Sequence, residues 1–325
     1  MEVLTMNGYT IAIVGAGLVG ERLVSELRRR EFPIQELRVL ARSARTVEMA
    51  GETFEVEVAE PDAFEGVDFA FFAGTEGEKG AAVQLASEAI SRGAVVIDNG
   101  SDFRLDDEVP LIVPEVNEDA LENHNGLIAN ANCSTTQMVV TLAPLAKAFG
   151  LRKVVVSTYQ AVSGSGRGGV EALEDGRDDV YPKQIAGNAI PLIGSIGEDG
   201  LSTEERKMVL ESRKILSLPG LEVHATTVRI PVHTGHAESI YVEVGRDVEL
   251  AEVLEVFGSA PGIVFSGEAD DFPTPLEAAG ESGTFVGRIR VEGNVINYWC
   301  VSDNLLKGAA TNAVQIAESL VKARV

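Results

Sequence analysis

The stretch TIAIVGAGLVG, from Thr10 to Gly20, constrains the fold of this chain more than any other. An apolar strand runs straight into three glycines spaced G-x-G-x-x-G, and ERLVSELRRR beyond them sets Leu23, Val24 and Leu27 at helical spacing. A strand that turns at once into a helix is a βα unit. The glycines let backbone N–H groups approach a pyrophosphate at the positive end of the helix. Gly15, Gly17, Leu18, Val19 and Gly20 are therefore the candidate dinucleotide contacts; the bare hexapeptide is a weak signal, and its strand-first, helix-after context favours this reading over a purely structural tight turn.

Further apolar runs at 37–41, 54–59, 67–73 and 94–100, with a helix expected over 77–92, extend the pattern. Several are continuously apolar, as strands covered on both faces are, which predicts a Rossmann-type, doubly wound α/β domain. After Asn132 the pattern changes. A helix is expected from Ser134 to Phe149, followed by alternating runs at 154–162, 223–232 and 238–244 and a hairpin turning at Gly293-Asn294. These runs predict a mixed or antiparallel sheet in a second, α+β domain over 133–302. Asp303 is placed to cap a last helix that packs back onto the first domain, so the expected division is 1–132 completed by 303–325, and 133–302. The glycine-containing loop 187–202 is expected to be mobile.

Fifty acidic against 27 basic residues, a formal charge of −23, oppose a nucleic-acid or anionic-membrane partner and require local basic pockets for anionic ligands. No apolar run reaches the length of a membrane span, and two cysteines are too few for a disulfide framework. A cytoplasmic protein is expected. The second strand ends in Ala41-Arg42-Ser43-Ala44-Arg45, without the acidic residue that holds a ribose 2′-hydroxyl; Arg42, with Ser43 beside it, predicts a 2′-phosphate and hence NADP. Solvated loop charge is the plainer reading of the same arginines.

In LIANANCSTTQ, Cys133 follows a β-run and opens a helix, where exposed N–H groups stabilise a thiolate. Ser134 reads as a helix cap, and Cys300 in INYWCV as a small buried hydrophobe. Four histidines could serve the thiol as acid or base: His124 in a loop, His224 within a strand, and His233 and His236, which fall on opposite faces if their segment stays extended. Spacing does not choose between the last two. Arg229, within an apolar strand, calls for an anionic partner.

The motifs GSDFRLDDEVPLIVPEVN, IANANCSTTQ, STYQAVSGSGRGG, STEERKMVLESRKIL, TVRIPVHTGHAES and VSDNLLKGAATNAVQIAE, in this order and spread over the chain, resemble the aspartate-β-semialdehyde dehydrogenases. That resemblance implies reversible, NADPH-dependent reduction of 4-aspartyl phosphate to L-aspartate 4-semialdehyde and phosphate through a cysteine thioester, serving lysine, threonine and methionine synthesis. By motif it implies Cys133 as nucleophile, His236 as acid/base, Gln160 positioning the substrate and thioester, and Asn132 fixing the carbonyl. Arg104 and Lys207 resemble the phosphate-binding pair, Glu204 the ligand of the substrate amino group and Arg229 that of its carboxylate. Ser163, Gly164 and Asn304 resemble further NADP contacts, and the assembly implied is a homodimer. Without the resemblance, Arg104 reads as a partner of Asp106 or Asp107, and Lys207 as a surface charge. The glycine loop departs from the family's usual G-A-T-G-x-V-G by lacking the threonine, and the segment around Arg42 is short. N-acetyl-γ-glutamyl-phosphate reductase chemistry and an inactive, ligand-binding paralogue are the competing readings; the NCSTTQ and EERK patterns oppose the first, and retention of Cys133 and His236 the second.

Overall fold

The computed structural model describes residues 8–74, 77–177, 179–265, 267–268 and 270–323. Within them the chain divides into two compact units, the first formed by the residues up to Pro114, Glu118–Ala131 and those from Ala309 on, the second by Glu115–Asn117 and Asn132–Gly308.

The first unit is built on strands β1 (Tyr9–Val14), β2 (Ile34–Ala41), β3 (Arg45–Met49), β4 (Glu52–Val58), β5 (Phe69–Phe72), β6 (Val95–Asp98), β7 (Leu111–Ile112) and β8 (Leu127–Asn130). They lie in the order β3-β4-β2-β1-β5-β6-β8-β7. All pairs are parallel except the β3–β4 hairpin. Alternation along β1 explains its unbroken apolar run. Ile11 and Ile13 join Leu23, Val24 and Leu27 of the helix Leu18–Arg29 in one core. Ala12 and Val14 face Ala82, Ala86 and Ala89 of the helix Ala81–Ser91 in another. Val314, Ile316, Ala317 and Leu320 of the last helix, Thr311–Ala323, complete the first of these cores. Asn312 Nδ2 fastens that helix to the Ile112 carbonyl at 2.9 Å and to Asn130 Oδ1 at 2.6 Å.

The second unit carries β9 (Leu151–Gln160), β10 (Glu222–Arg229), β11 (His236–Val244), β12 (Ile263–Phe265), β13 (Thr284–Glu292) and β14 (Val295–Ser302), ordered β10-β9-β11-β14-β13-β12. It is a mixed sheet: β10 runs parallel to β9 and β12 to β13, and the central pairs are antiparallel. The hairpin at Gly293-Asn294 joins β13 and β14 as its sequence requires. The helix Cys133–Phe149 lays Met138, Leu142 and Leu145 on Val154, Val156, Ile240 and Val242 of the sheet.

Three local expectations are corrected. The polar segment after Arg42 forms the edge strand β3, which turns back at Ala50-Gly51 to pair with β4. Strand β10 stops at Arg229 instead of continuing to Val232, because Pro231 offers no N–H to a ladder and biases Ile230 before it. The segment carrying His233 is therefore a loop, and only His236 belongs to a strand. Finally, the helix opens at Cys133, so its N-cap is Asn132; the Ser134 hydroxyl, already inside the first turn, is buried without a hydrogen-bond partner among the described residues.

Candidate active site

Cys133 is the first residue of a 17-residue helix and is only partly buried. Asn132 before it is held from two sides. Its Oδ1 accepts from the backbone N–H groups of Ser134 (3.0 Å) and Thr135 (3.1 Å), its Nδ2 donates to Glu204 Oε1 (2.9 Å), and its backbone N–H donates to Glu211 Oε2 (2.8 Å). Helix-end N–H groups stabilise negative charge within the first turn, and the sulfur begins that turn. Cys300 contrasts with it: fully buried opposite Glu238 on β14, its thiol is pushed well above the usual range by burial, with a smaller contribution from Glu238. Neither cysteine is in a disulfide.

Glu204 comes from the helix Thr203–Ile215, whose start is fixed by a capping box between Ser202 and Glu205. Its Oε1 accepts also from Gln160 Nε2 (3.3 Å), the last residue of β9, and its Oε2 lies 3.9 Å from Lys207 Nζ. Glu204, Asn132 and Gln160 therefore form one buried polar cluster beside the thiol helix, and Lys207 borders it. Glu211 was missed by residue-by-residue reading. Its signal is the interval of seven from Glu204, two helical turns, which brings both carboxylates to the same asparagine.

His236 begins β11 and is wholly buried. The Ala161 N–H donates to Nδ1 at 3.1 Å, so the neutral ring carries its proton on Nε2. Nε2 has no hydrogen-bond partner among the described residues. Burial, and after it the charge of Arg229, hold this imidazole well below the ordinary histidine range, and it is neutral near pH 7. Arg229 is buried at the end of β10, where a backbone bridge to Ile190 fixes it from the 187–202 segment. It donates Nη1 to the Ala161 carbonyl at 2.6 Å, and its Nε is buried without a partner among the described residues. Gly164 packs against both side chains: a Cβ there would stand 2.8 Å from Arg229 Nη1 and 3.1 Å from His236 Nε2. Ser163 pairs with Asn304, whose Oδ1 accepts from the Gly235 N–H at 2.9 Å.

The remaining histidines fall elsewhere. His233 is exposed against Glu174, His224 is exposed against Glu222, and His124 Nδ1 accepts from the Gly126 N–H. Glu238, two residues past His236 on the same strand face, is buried beside Gln137 without an aligned hydrogen bond to either of its oxygens. Burial, with a smaller contribution from Glu204, drives its carboxyl well above the usual carboxylate range.

In the first unit, Arg104 is buried and donates to the backbone carbonyls of Asn130 (2.8 Å) and Asn99 (2.8 Å), at the carboxyl ends of β8 and β6. The glycine loop fits a pyrophosphate. Gly15 has φ +124° with the Ala73 carbonyl where its Cβ would be, and Gly20 approaches the Gly15 carbonyl too closely for any Cβ. Gly17 faces open space as the N-cap of a helix that no side chain caps. Leu18 and Val19 form the first helical turn, while Arg42 and Ser43 lie exposed after β2.

Residues 10–124 match the family model described as "Semialdehyde dehydrogenase, NAD binding domain", and residues 142–307 that described as "Semialdehyde dehydrogenase, dimerisation domain". The chain is 45% identical to the aspartate-semialdehyde dehydrogenase of Bacillus subtilis, over 97% of this chain and 98% of that one. It is 43% identical to that of Aquifex aeolicus over the same shares. Among solved structures, the aspartate semialdehyde dehydrogenase II of Vibrio cholerae, complexed with ASA, superposes with a TM-score of 0.92 at 39% identity, covering 97% of this chain and 98% of that one.

Proposed function

The chain belongs to the aspartate-semialdehyde dehydrogenases, NAD(P)-dependent oxidoreductases of amino-acid biosynthesis, and from that premise we propose how its residues divide the reaction. The observation that carries the proposal is the thiol of Cys133 at the start of a long helix, in a chain whose other thiol is sealed in the core. Cys133 attacks the acyl carbon of 4-aspartyl phosphate; the C–S bond forms, the C–O bond to phosphate breaks and phosphate leaves. NADPH, when bound, supplies the hydride that turns the thioester into a hemithioacetal. His236 meets the acyl oxygen as an Nε2–H donor and stabilises its negative charge. Acting as a base at Nε2 requires the other tautomer, with the Ala161 contact on Nδ1 given up. Cleavage of the C–S bond then releases the aldehyde and regenerates the thiolate.

Arg229 takes the substrate carboxylate, supported by its buried and unsatisfied Nε. Glu204 takes the amino group, Gln160 and Asn132 hold the thioester end, and Arg104 and Lys207 take phosphate. Gly15, Gly17, Leu18, Val19 and Gly20 would hold the pyrophosphate, with Ser163, Gly164 and Asn304 as further contacts. Arg42 and Ser43 would hold the 2′-phosphate of NADP. In this reading residues 1–132 with 303–325 are the cofactor domain and 133–302 the catalytic and dimerisation domain of a cytoplasmic homodimer. No helix among the described residues is long and apolar enough to cross a membrane.

The test is NADPH formation by the purified chain from L-aspartate 4-semialdehyde. Turnover should depend on phosphate, favour NADP over NAD, and lose that preference in Arg42→Ala. Turnover only with N-acetyl-glutamate semialdehyde, or none with either aldehyde, overturns the reading.

A further inference from the structure

The turn that follows β14 binds the residue before His236 and lies against Cys133, all within the second unit. Asp303 anchors it: Oδ1 accepts from the N–H groups of Leu305 (2.8 Å) and Leu306 (3.2 Å), and Oδ2 from that of Gly280 (2.8 Å). Asn304 binds the N–H of Gly235, the residue before His236. Lys307, only 1% exposed, reaches Glu115 at 2.5 Å. Gly308 then lies against the nucleophile, in a short π-helical turn from Leu306 to Ala310. A Cβ on Gly308 would stand 2.7 Å from the Cβ of Cys133, 3.1 Å from its Cα and 3.4 Å from its carbonyl oxygen. Single π-helical turns recur at functional sites, where they re-aim backbone without breaking a helix.

Neither side of this contact can yield cheaply. Cys133 follows an asparagine tied to Glu204 and Glu211, and the turn is pinned at Asp303, Asn304 and Lys307. We propose that the turn Asp303–Gly308 sets the separation of Cys133 and His236, and that Gly308 is the positioning residue against which the thiol is seated. The proposal rests on Cys133 being the nucleophile. Carbon atoms in contact sit about 3.5–4.0 Å apart, so a methyl group at 308 must displace Cys133 by about 1 Å. A misplacement of that size costs about a hundredfold in rate when it falls on reacting groups. Substrate and phosphate contacts lie on other residues and are left in place.

Gly308→Ala in the full chain should therefore lower kcat about a hundredfold while the KM values for aldehyde and phosphate stay within about threefold. Iodoacetamide stoichiometry checks the fold in the same sample, since a folded chain labels at Cys133 alone and an unfolded one also at Cys300. A folded Gly308→Ala with kcat within about threefold of the parent overturns the proposal. If that variant takes up two labels, the double variant Lys307→Met, Glu115→Gln decides, because it loosens the turn without adding an atom beside Cys133. It should lose about tenfold in kcat at unchanged KM, and an unchanged kcat overturns the proposal. Failure of the functional reading looks different: Cys133→Ala would then keep its turnover, whereas an inactive Cys133→Ala beside a fully active Gly308→Ala removes only the role of the turn.

Discussion

The glycine loop and the surroundings of Cys133 solve opposite problems with opposite materials. At Gly15–Gly20 the first unit offers bare backbone, and the chemistry of the loop lies in what its residues lack. Beside the start of the Cys133 helix the second unit offers side chains brought together from separate segments, Asn132 with Gln160, Glu204 and Glu211, while Arg229 and His236 meet at the Ala161 backbone that follows Gln160. A backbone site is local and survives most changes in its neighbours, whereas a side-chain site depends on tertiary packing and is coupled throughout.

Substitutions that act on one material and spare the other sharpen this contrast. The largest effect belongs to Cys133→Ala, which should cut turnover by at least about a thousandfold while cofactor binding, followed by fluorescence titration, is unchanged. Retained turnover would place the nucleophile elsewhere. Arg229→Lys keeps the charge but loses the planar fork, and kcat/KM for the aldehyde should fall roughly ten- to a hundredfold with KM for phosphate little altered. A phosphate-specific loss would exchange its role with that of Lys207. In the loop, Gly17→Ala adds a methyl group to open space and should leave the Tm unchanged while raising the cofactor KM about tenfold; Gly20→Ala should lower the Tm itself, since its Cβ would collide with backbone. Equal behaviour of the two would erase the distinction between ligand-facing and packing glycines.

The smallest effect concerns Glu238. Its carboxyl holds a proton in the folded protein that the unfolded chain releases above the ordinary carboxylate range, so folding is progressively opposed as pH rises from about 4.5 toward the raised folded value. Glu238→Gln removes that dependence. Urea denaturation across pH should show the variant gaining stability on the parent by about 1 kcal/mol per pH unit within this window. Parallel curves would mean that the carboxyl ionises in place.

The same contrast explains what could be read in advance. The βα start, the parallel sheet, the hairpin at Gly293-Asn294 and the helix opening near Cys133 rest on local periodicity and turn chemistry, and the structure carries them. The edge strand β3 was not legible, because exposed polar residues such as Arg45, Thr46 and Glu48 have no apolar alternation to announce them. The choice of His236 over His233 rests on resemblance alone; what differs physically is that β10 ends before Pro231, with His233 exposed beside Glu174 and His236 buried in β11. The burial of Glu238 and the close approach of Gly308 to Cys133 were invisible in sequence, since both are defined by what a distant segment brings against them.

The helix that closes the first unit's core is drawn from a segment far along the sequence: Val314, Ile316 and Leu320 of Thr311–Ala323 complete what Ile11 and Leu23 begin. A ribosome making this chain therefore releases the strands of that unit long before the helix that covers them. At ~5–20 residues per second, the sheet waits roughly 10 to 35 s for its last apolar face to be closed. Throughout that interval the nascent chain holds an open hydrophobic surface, so the yield of native protein in the cell depends on what shields that surface during synthesis as much as on the stability of the finished fold.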